Sequence, residues 1–252
     1  MTSLNENNLV SFALHRVISA NCDMYSRLRP SALLGFLIQS AIDSADNLGF
    51  GFGSLREQHL FWVLSRMTVE LDETPLWNDT IEIETWPRDI ERILYRRDYL
   101  IRKNGIIIGR ATSSWLAIDL KSKKLSKVSE GEEWKFVTLR DKKAIEAAPE
   151  KLSAVSGADC CTIETQYNDF DLNGHVTSTR YLEWAENSMN TAFYKNNVCR
   201  GFSVNYIKET LPGENLAASF EFAENGDLLF EAKHGSSGNT SFRCSLHFKT
   251  IA

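Results

Sequence analysis

Residues 34–53, LGFLIQSAIDSADNLGFGFG, decide how the rest of the chain is read. Leu34, Leu37, Ile38, Ala41, Ala45 and Leu48 recur at helical spacing, which gives the segment one apolar face. Gly49, Gly51 and Gly53 stop the helix. Ser26 to Pro30 form its entry, and Leu9 to Ile18 before them reads as a strand. Four strand-like runs follow: His59 to Leu71, Thr80 to Trp86, Ile93 to Arg102 and Ile106 to Leu120. They are rich in Val, Ile, Trp and Tyr, and turns such as Lys103-Asn104-Gly105 separate them. A helix followed by an antiparallel meander predicts a sheet curled around that helix.

The same plan recurs further along. Cys161 to Gln166 reads as a strand and Asn168 to Val176 as a polar loop. Tyr181, Trp184, Ala185, Met189, Ala192 and Phe193 mark a helix face. The strands Phe202 to Thr210, Asn215 to Phe222, Leu228 to Ala232 and Thr240 to Lys249 come next, with Asn225-Gly226 and Gly235 to Gly238 as turns. Met67-Thr68-Val69 aligns with Phe202-Ser203-Val204, and Asp79-Thr80-Ile81 with Glu214-Asn215-Leu216, both at an offset of 135 (202 − 67, 214 − 79). One constant offset argues for duplication of a strand–helix–sheet unit. Between the copies, Lys121 to Glu150 holds 14 charged residues in 30, too many for a core, so it reads as a surface linker that Trp134 and Phe136 pack down in part. The expected organisation is residues 1–120, 121–158 and 159–252.

Composition narrows the function classes. A net charge of −5 makes nucleic acid a poor partner. Two local cationic groups stand out, Arg88, Arg92, Arg96, Arg97, Arg102 with Lys103, and Lys121, Lys123, Lys124 with Lys127. They read either as a solvated surface with nearby acids or as a dock for an acidic partner. Five cysteines without CxxC spacing, Cys22, Cys160, Cys161, Cys199 and Cys244, fit reduced thiols rather than a disulfide framework or a zinc site. No cofactor or metal is expected. No stretch approaches the roughly 18 apolar residues of a membrane span. The first residues show neither signal nor transit character.

The loop from Asn168 to His175 is the most chemical stretch. Asn, Asp and Gly are ordinary turn residues, so the pattern alone is weak. Three features strengthen it. Asp171, Asn173 and His175 alternate, so an extended loop points them the same way. They precede a helix whose first N–H groups can stabilise an oxyanion. The matching place around Cys22 to Pro30 lacks the set, whereas a purely structural turn would be expected in both copies. Glu209, near the end of a strand, matters only if it meets His175.

These stretches resemble the acyl-acyl carrier protein thioesterases of plant plastids and bacteria. The resemblance runs from about Phe12 to Phe248. It is carried by Gly51-Phe52-Gly53-Ser54, Leu60 to Met67, Trp77-Asn78-Asp79, Arg96 to Arg102, Arg110 to Trp115, Asp169 to Val176 and Tyr206 to Glu209. It implies an α+β double hotdog fold, two long helices each wrapped by an antiparallel sheet. The first half would hold the acyl chain and the second the chemistry. It implies catalytic roles for Asp171, Asn173, His175 and Glu209, and acyl carrier protein as the acidic partner. Thr210 stands where some plant members carry Cys, which argues against a cysteine nucleophile. The lack of a transit segment favours a bacterial cytoplasmic enzyme.

The implied chemistry is thioester hydrolysis. Glu209 activates water, His175 shares or relays the proton, Asn173 positions the thioester or the water, and Asp171 orients Asn173 or the histidine. Direct carboxylate attack through an anhydride competes with this path. An acyl-CoA thioesterase, a non-catalytic acyl-binding module and a hotdog dehydratase are the rival readings. Chain-length preference and assembly, including a homodimer, are left open by the residues.

Overall fold

The computed structural model describes residues 9–128, 131–157 and 159–251. Residues 1–8 of the expected first half, 129, 130 and 158 of the linker, and 252 lie outside them. The chain runs β1 (Ser11–Arg16), α1 (Pro30–Asn47), α2 (Phe52–Glu57), β2 (Leu60–Leu71), β3 (Thr80–Glu91), β4 (Leu94–Lys103), β5 (Ile106–Asp119), β6 (Leu125–Ser126) and α3 (Trp134–Val137). It continues as β7 (Asp159–Glu164), α4 (Ser178–Glu186), α5 (Thr191–Asn196), β8 (Asn197–Tyr206), β9 (Asn215–Phe222), β10 (Leu228–His234) and β11 (Thr240–Thr250).

One antiparallel sheet contains all the described strands, in the order β1-β3-β4-β5-β2-β8-β11-β10-β9-β7, with β6 beside β5. The order is the same read outward from its centre, with β8 to β11 and β7 answering β2 to β5 and β1. Strands β2 and β8 join the halves, and Thr68 pairs with Ser203 across the joint. Their hydroxyls lie 3.0 Å apart, and they are separated by 135 residues. The two residues that the repeat makes equivalent therefore meet on the pseudo-twofold axis. Helices α1 and α4 lie against each other beneath this joint, and a Cβ on Gly35 would stand 3.6 Å from Thr179 Cγ2.

The apolar face of α1 drives the packing. Leu34, Leu37, Ala41 and Ala45 are buried, and Leu33 joins them. Leu33, Leu34, Leu37 and Ala41 share a core with Tyr181, Leu182 and Ala185 of α4 and with Met67, Phe202, Phe230 and Phe242 of the sheet, while Ala45 packs in a smaller cluster with Phe50 and Phe136. Burying each such leucine is worth about 2 kcal/mol. No helix among the described residues is long and apolar enough to cross a membrane.

Several expectations need correction. The second core helix is not long. It ends at Glu186, and Asn190 caps a new helix by accepting a hydrogen bond from Phe193 N (2.9 Å). Met189, Ala192 and Phe193 kept the helical phase, but the Asn187-Ser188 pair and the Asn190 cap favour a break. In the first half, the glycines do stop α1, and Gly49 takes φ +80°. A short helix, α2, then begins at Phe52. Strand β3 runs on through Pro87 to Glu91, and β8 ends at Tyr206, so Glu209 lies beyond the strand.

The first cationic group is mostly consumed inside the fold. Arg88 is buried and pairs with Asp98 at 3.0 Å. Arg97 is buried against Ser44 and Thr85 hydroxyls (2.9 and 3.3 Å). Arg96 pairs with Glu91, Arg102 with Glu84, and Lys103 with Glu73 and Asp79. Burial pushes the Asp98 carboxyl up even with Arg88 beside it. The segment between the halves is likewise held by buried polar groups rather than left free. Ala144 N donates to Asp98 (2.8 Å) and Leu152 N to Asn205 (2.9 Å), while Phe136 is buried among Phe50, Trp62 and Tyr95.

Candidate active site

The loop before α4 is a tight turn, not the extended segment that the alternation of Asp171, Asn173 and His175 suggests. Phe170 and Val176 form a single antiparallel bridge. Asp171 Oδ1 accepts from the backbone N–H of Asn173 (2.8 Å) and of His175 (3.2 Å). Asp171 N donates to His175 O (2.8 Å), and Gly174 takes φ +76° so that the chain can reverse. Asp171 therefore shapes the loop through its backbone.

The segment carrying Glu209 is pinned on both sides. Ile207 N and Lys208 N donate to Ser241 O (2.9 and 3.1 Å), and Ser241 Oγ returns a bond to Lys208 O (2.7 Å). Val176 N donates to Thr210 O (3.1 Å). The residue after His175 is thus tied to the residue after Glu209, and the two side chains meet: His175 Nε2 stands 3.1 Å from Glu209 Oε2. Glu209 is 45% exposed and His175 21%, so water reaches the pair. Thr210, by contrast, is fully buried with its hydroxyl 2.8 Å from Ser241 Oγ, turned into the core.

Asn173 is met from the other half. Arg56 Nη2 on α2 donates to Asn173 Oδ1 at 3.5 Å, and the guanidinium lies over the Phe52 ring. The residues alone did not reveal Arg56, because nothing in GFGSLRE marks a helix that crosses to the second half. Ser241 and Tyr181, linked at 3.4 Å behind Thr210, were likewise unmarked as supports. Burial raises the Tyr181 phenol above its ordinary value. A cavity of about 60 Å³ in the first half is lined by Ala41, Ile42, Ala45, Phe50, Trp62 and Trp115, and a second of about 280 Å³ lies near α5. Neither is lined by the four candidate residues. Phe50 lines the first cavity, six residues before Arg56. Among the described residues, no three His, Cys, Asp or Glu side chains gather as a metal centre needs.

The matching loop at Cys22 to Leu28 overturns one argument from sequence. The turn is kept in both copies: Cys22 and Leu28 form the same bridge, and Asp23 Oδ1 accepts from Tyr25 N (2.8 Å) and Arg27 N (2.9 Å). The loop offset is 148 (170 − 22, 176 − 28), not 135, because the helical region of the second half is 13 residues shorter (148 − 135). What the first copy lacks is the side chains, not the turn.

Fold and site together define a mixed α/β protein of hotdog-like type with a histidine–carboxylate pair at the loop before its second core helix. The acyl-ACP thioesterase N-terminal domain family matches residues 13–133, and the acyl-ACP thioesterase C-terminal domain family matches residues 153–249. The chain belongs to the acyl-ACP thioesterase family. Among solved structures it is similar to an acyl-ACP thioesterase from Bacteroides thetaiotaomicron. The TM-score is 0.90 and the identity 26%, over 98% of this chain and 100% of that one. Among curated relatives it is 26% identical to oleoyl-acyl carrier protein thioesterase 2, chloroplastic, of Arabidopsis thaliana, over 83% of this chain and 62% of that one. It is 30% identical to the palmitoyl-acyl carrier protein thioesterase, chloroplastic, of Gossypium hirsutum, over 70% and 46%. The chain thus spans about half to three fifths of the length of these curated relatives.

Proposed function

We propose that the chain hydrolyses acyl-acyl carrier protein thioesters to free fatty acid and carrier protein in fatty acid biosynthesis. The observation that carries this reading is the 3.1 Å approach of His175 Nε2 to Glu209 Oε2 at a water-accessible turn. A thioester carbonyl has weak resonance stabilisation and a good thiolate leaving group, so an activated water and a site for negative charge suffice. Glu209 takes a proton from water, and His175 shares it and passes it towards the leaving sulfur. Asn173, held on its oxygen side by Arg56, turns its amide N–H groups to the carbonyl or the water. Asp171 acts at one remove, by fixing the backbone that presents Asn173 and His175.

The architecture in this reading is a double hotdog. Residues 1–120 receive the acyl chain, 121–158 connect the halves, and 159–252 carry the chemistry. The apolar cavity of the first half, bounded by α1 and by the turn into α2, supports the acyl assignment. The partner is acyl carrier protein. With the Arg88 to Lys103 group largely paired internally, the carrier's acidic surface falls to exposed cations such as Lys121, Lys124 and Lys127. The likeness to the Bacteroides thetaiotaomicron protein over its whole length supports a bacterial, cytoplasmic setting.

The deciding measurement compares thiol release from acyl-acyl carrier protein and from acyl-CoA. A higher specificity constant on the carrier protein is expected, and a preference for CoA would transfer the site to the other carrier. A single turnover in oxygen-18 water tests the step itself. Label in the fatty acid alone fits water attack, whereas label in the Glu209 or Asp171 carboxylate would mean an anhydride.

A further inference from the structure

The loop at Cys22 to Leu28 borders the larger cavity, of about 280 Å³. This cavity is the pseudo-twofold counterpart of the candidate active site. Leu28 N donates to Pro75 O (2.8 Å) as Val176 N does to Thr210 O, at the repeat's offset of 135 (210 − 75). On this alignment Arg27 occupies the place of His175, Tyr25 that of Asn173, and Thr74 that of Glu209. Even the cover is repeated. Tyr25 Oη donates to Thr191 O on α5 (3.4 Å), as Arg56 on α2 donates to Asn173.

The exchange of side chains changes the charge. A histidine and a carboxylate on one side become a guanidinium and a hydroxyl on the other, so the matching place loses its acid and gains a fixed cation. Arg27 lines the cavity and spends only Nη1 on α5 and its end, donating to Tyr194 O (2.8 Å) and Asn197 O (3.0 Å). Arg29 stands beside it. Met24, Leu28, Pro30, Met189 and Val198 supply apolar wall. The acids that border the cavity are already engaged. Asp23 holds the turn, Glu183 pairs with Arg180, and Glu186 accepts from Ser31 N and Ser31 Oγ, both at 2.8 Å. Burial lifts the Glu186 carboxyl to about 7, so it repels an anion weakly near neutrality.

We propose that this second cavity binds a medium-chain carboxylate without turning it over, its head at Arg27 and its tail along Met24, Met189 and Val198. The turn is what the duplication kept, and the His–Glu pair that would act on a thioester is replaced by Arg27, which can hold an anion, and by Thr74, whose hydroxyl donates to Cys199 O (3.0 Å). The ligand class is that of a free fatty acid, so a hydrolytic product could occupy the site.

The probe is decanoate, titrated calorimetrically into the whole protein, with decanol as the uncharged control. Two variants address the cavity and leave the candidate active site untouched. Thr74→Glu returns a carboxylate to the head position, and Met189→Trp fills the tail position. Wild type is expected to show a decanoate-binding event that each variant weakens at least about tenfold while circular dichroism stays unchanged. Decanoate binding that neither variant weakens, decanol binding as well as decanoate, or no uptake by wild type would overturn the proposal. Both variants lie outside the candidate active site and the first-half acyl cavity, so decanoate held there would be insensitive to them, and a signal that neither variant weakens overturns this proposal while leaving the hydrolytic reading standing.

Discussion

The turns at Cys22–Leu28 and Phe170–Val176 have one backbone and two chemistries. Each is closed by an antiparallel bridge, each is braced by an aspartate that accepts two backbone N–H groups, and each reverses at a residue with positive φ, Ser26 at +63° and Gly174 at +76°. They differ at what they present: Tyr25, Arg27 and Thr74 on one side, Asn173, His175 and Glu209 on the other. The fold therefore accounts for the turn, and in the proposed function the three exchanged side chains account for the reaction. The comparison is sharpened or broken by changes that affect one turn and not its twin.

The largest effect is expected from Glu209→Gln. Loss of the general base should lower kcat on an acyl carrier substrate by about 10²- to 10⁴-fold. Melting should barely change, because Glu209 is half exposed and its segment is held by backbone bonds to Ser241. A turnover within a few-fold of wild type would remove Glu209 from the chemistry and leave the two turns functionally alike.

Glu186 separates the two sides by pH. It projects from α4 onto the start of α1, and its counterpart on α1 is Ile38 (186 − 148). Burial raises its folded value from 4.5 to about 7, so between those values the folded state holds the proton more tightly than the unfolded chain. Stability from this group is full below about 4.5 and declines as pH rises through about 7. Glu186→Gln keeps the acceptor for Ser31 N and removes the charge. It should therefore stabilise the protein at pH 8 by up to roughly 3 kcal/mol and flatten that part of the stability profile. Denaturant unfolding at pH 4.5 and pH 8 measures this; an equal effect at both would show that the carboxylate is not desolvated.

The bracing aspartates give a middle-sized effect with a clean contrast. Asp23→Ala and Asp171→Ala each unseat two backbone hydrogen bonds to a carboxylate, at a cost of about 1–3 kcal/mol in stability. Only Asp171→Ala should also depress turnover, because only its loop presents His175 and Asn173. If Asp23→Ala lowered kcat as much, the two loops would be coupled through the packed helices rather than independent.

The contrast also explains what the residues could and could not reveal. The succession of strands and the offset of 135 were legible because alternation and turn residues such as Asn104-Gly105 are local signals, and Thr68 meeting Ser203 is consistent with that offset; the order in the sheet was not, because a meander puts β2 beside β3, whereas β2 lies between β5 and β8. The loop offset of 148 was hidden by the unequal helices, so Asp23 did not register as the twin of Asp171. The break after Glu186 was hidden because Met189, Ala192 and Phe193 stay in helical phase across it. Arg88 and Arg97 looked like surface charge because the groups that bury them, Asp98, Ser44 and Thr85, come from positions that only folding brings near. The four candidate residues could be named, but the meeting of His175 with Glu209 rests on long-range bonds, Val176 N to Thr210 O and the bonds of Ile207 and Lys208 to Ser241, which no local pattern announces.

The smallest effect concerns the reversal residues themselves. A Cβ added at Gly174 would meet nothing within 4 Å, so a side chain there is opposed only by the backbone conformation. Ser26 already occupies that conformation in the twin turn. Gly174→Ser should therefore cost about 1 kcal/mol in unfolding free energy, the ordinary penalty of a non-glycine residue at positive φ, offset in part by the lower entropy of its unfolded chain. His175 and Glu209 should remain within hydrogen-bond reach, with kcat reduced no more than a few-fold. A much larger loss of kcat at the same stability would mean that the active turn requires a freedom its twin has given up, and the two loops would then differ in backbone as well as in side chains.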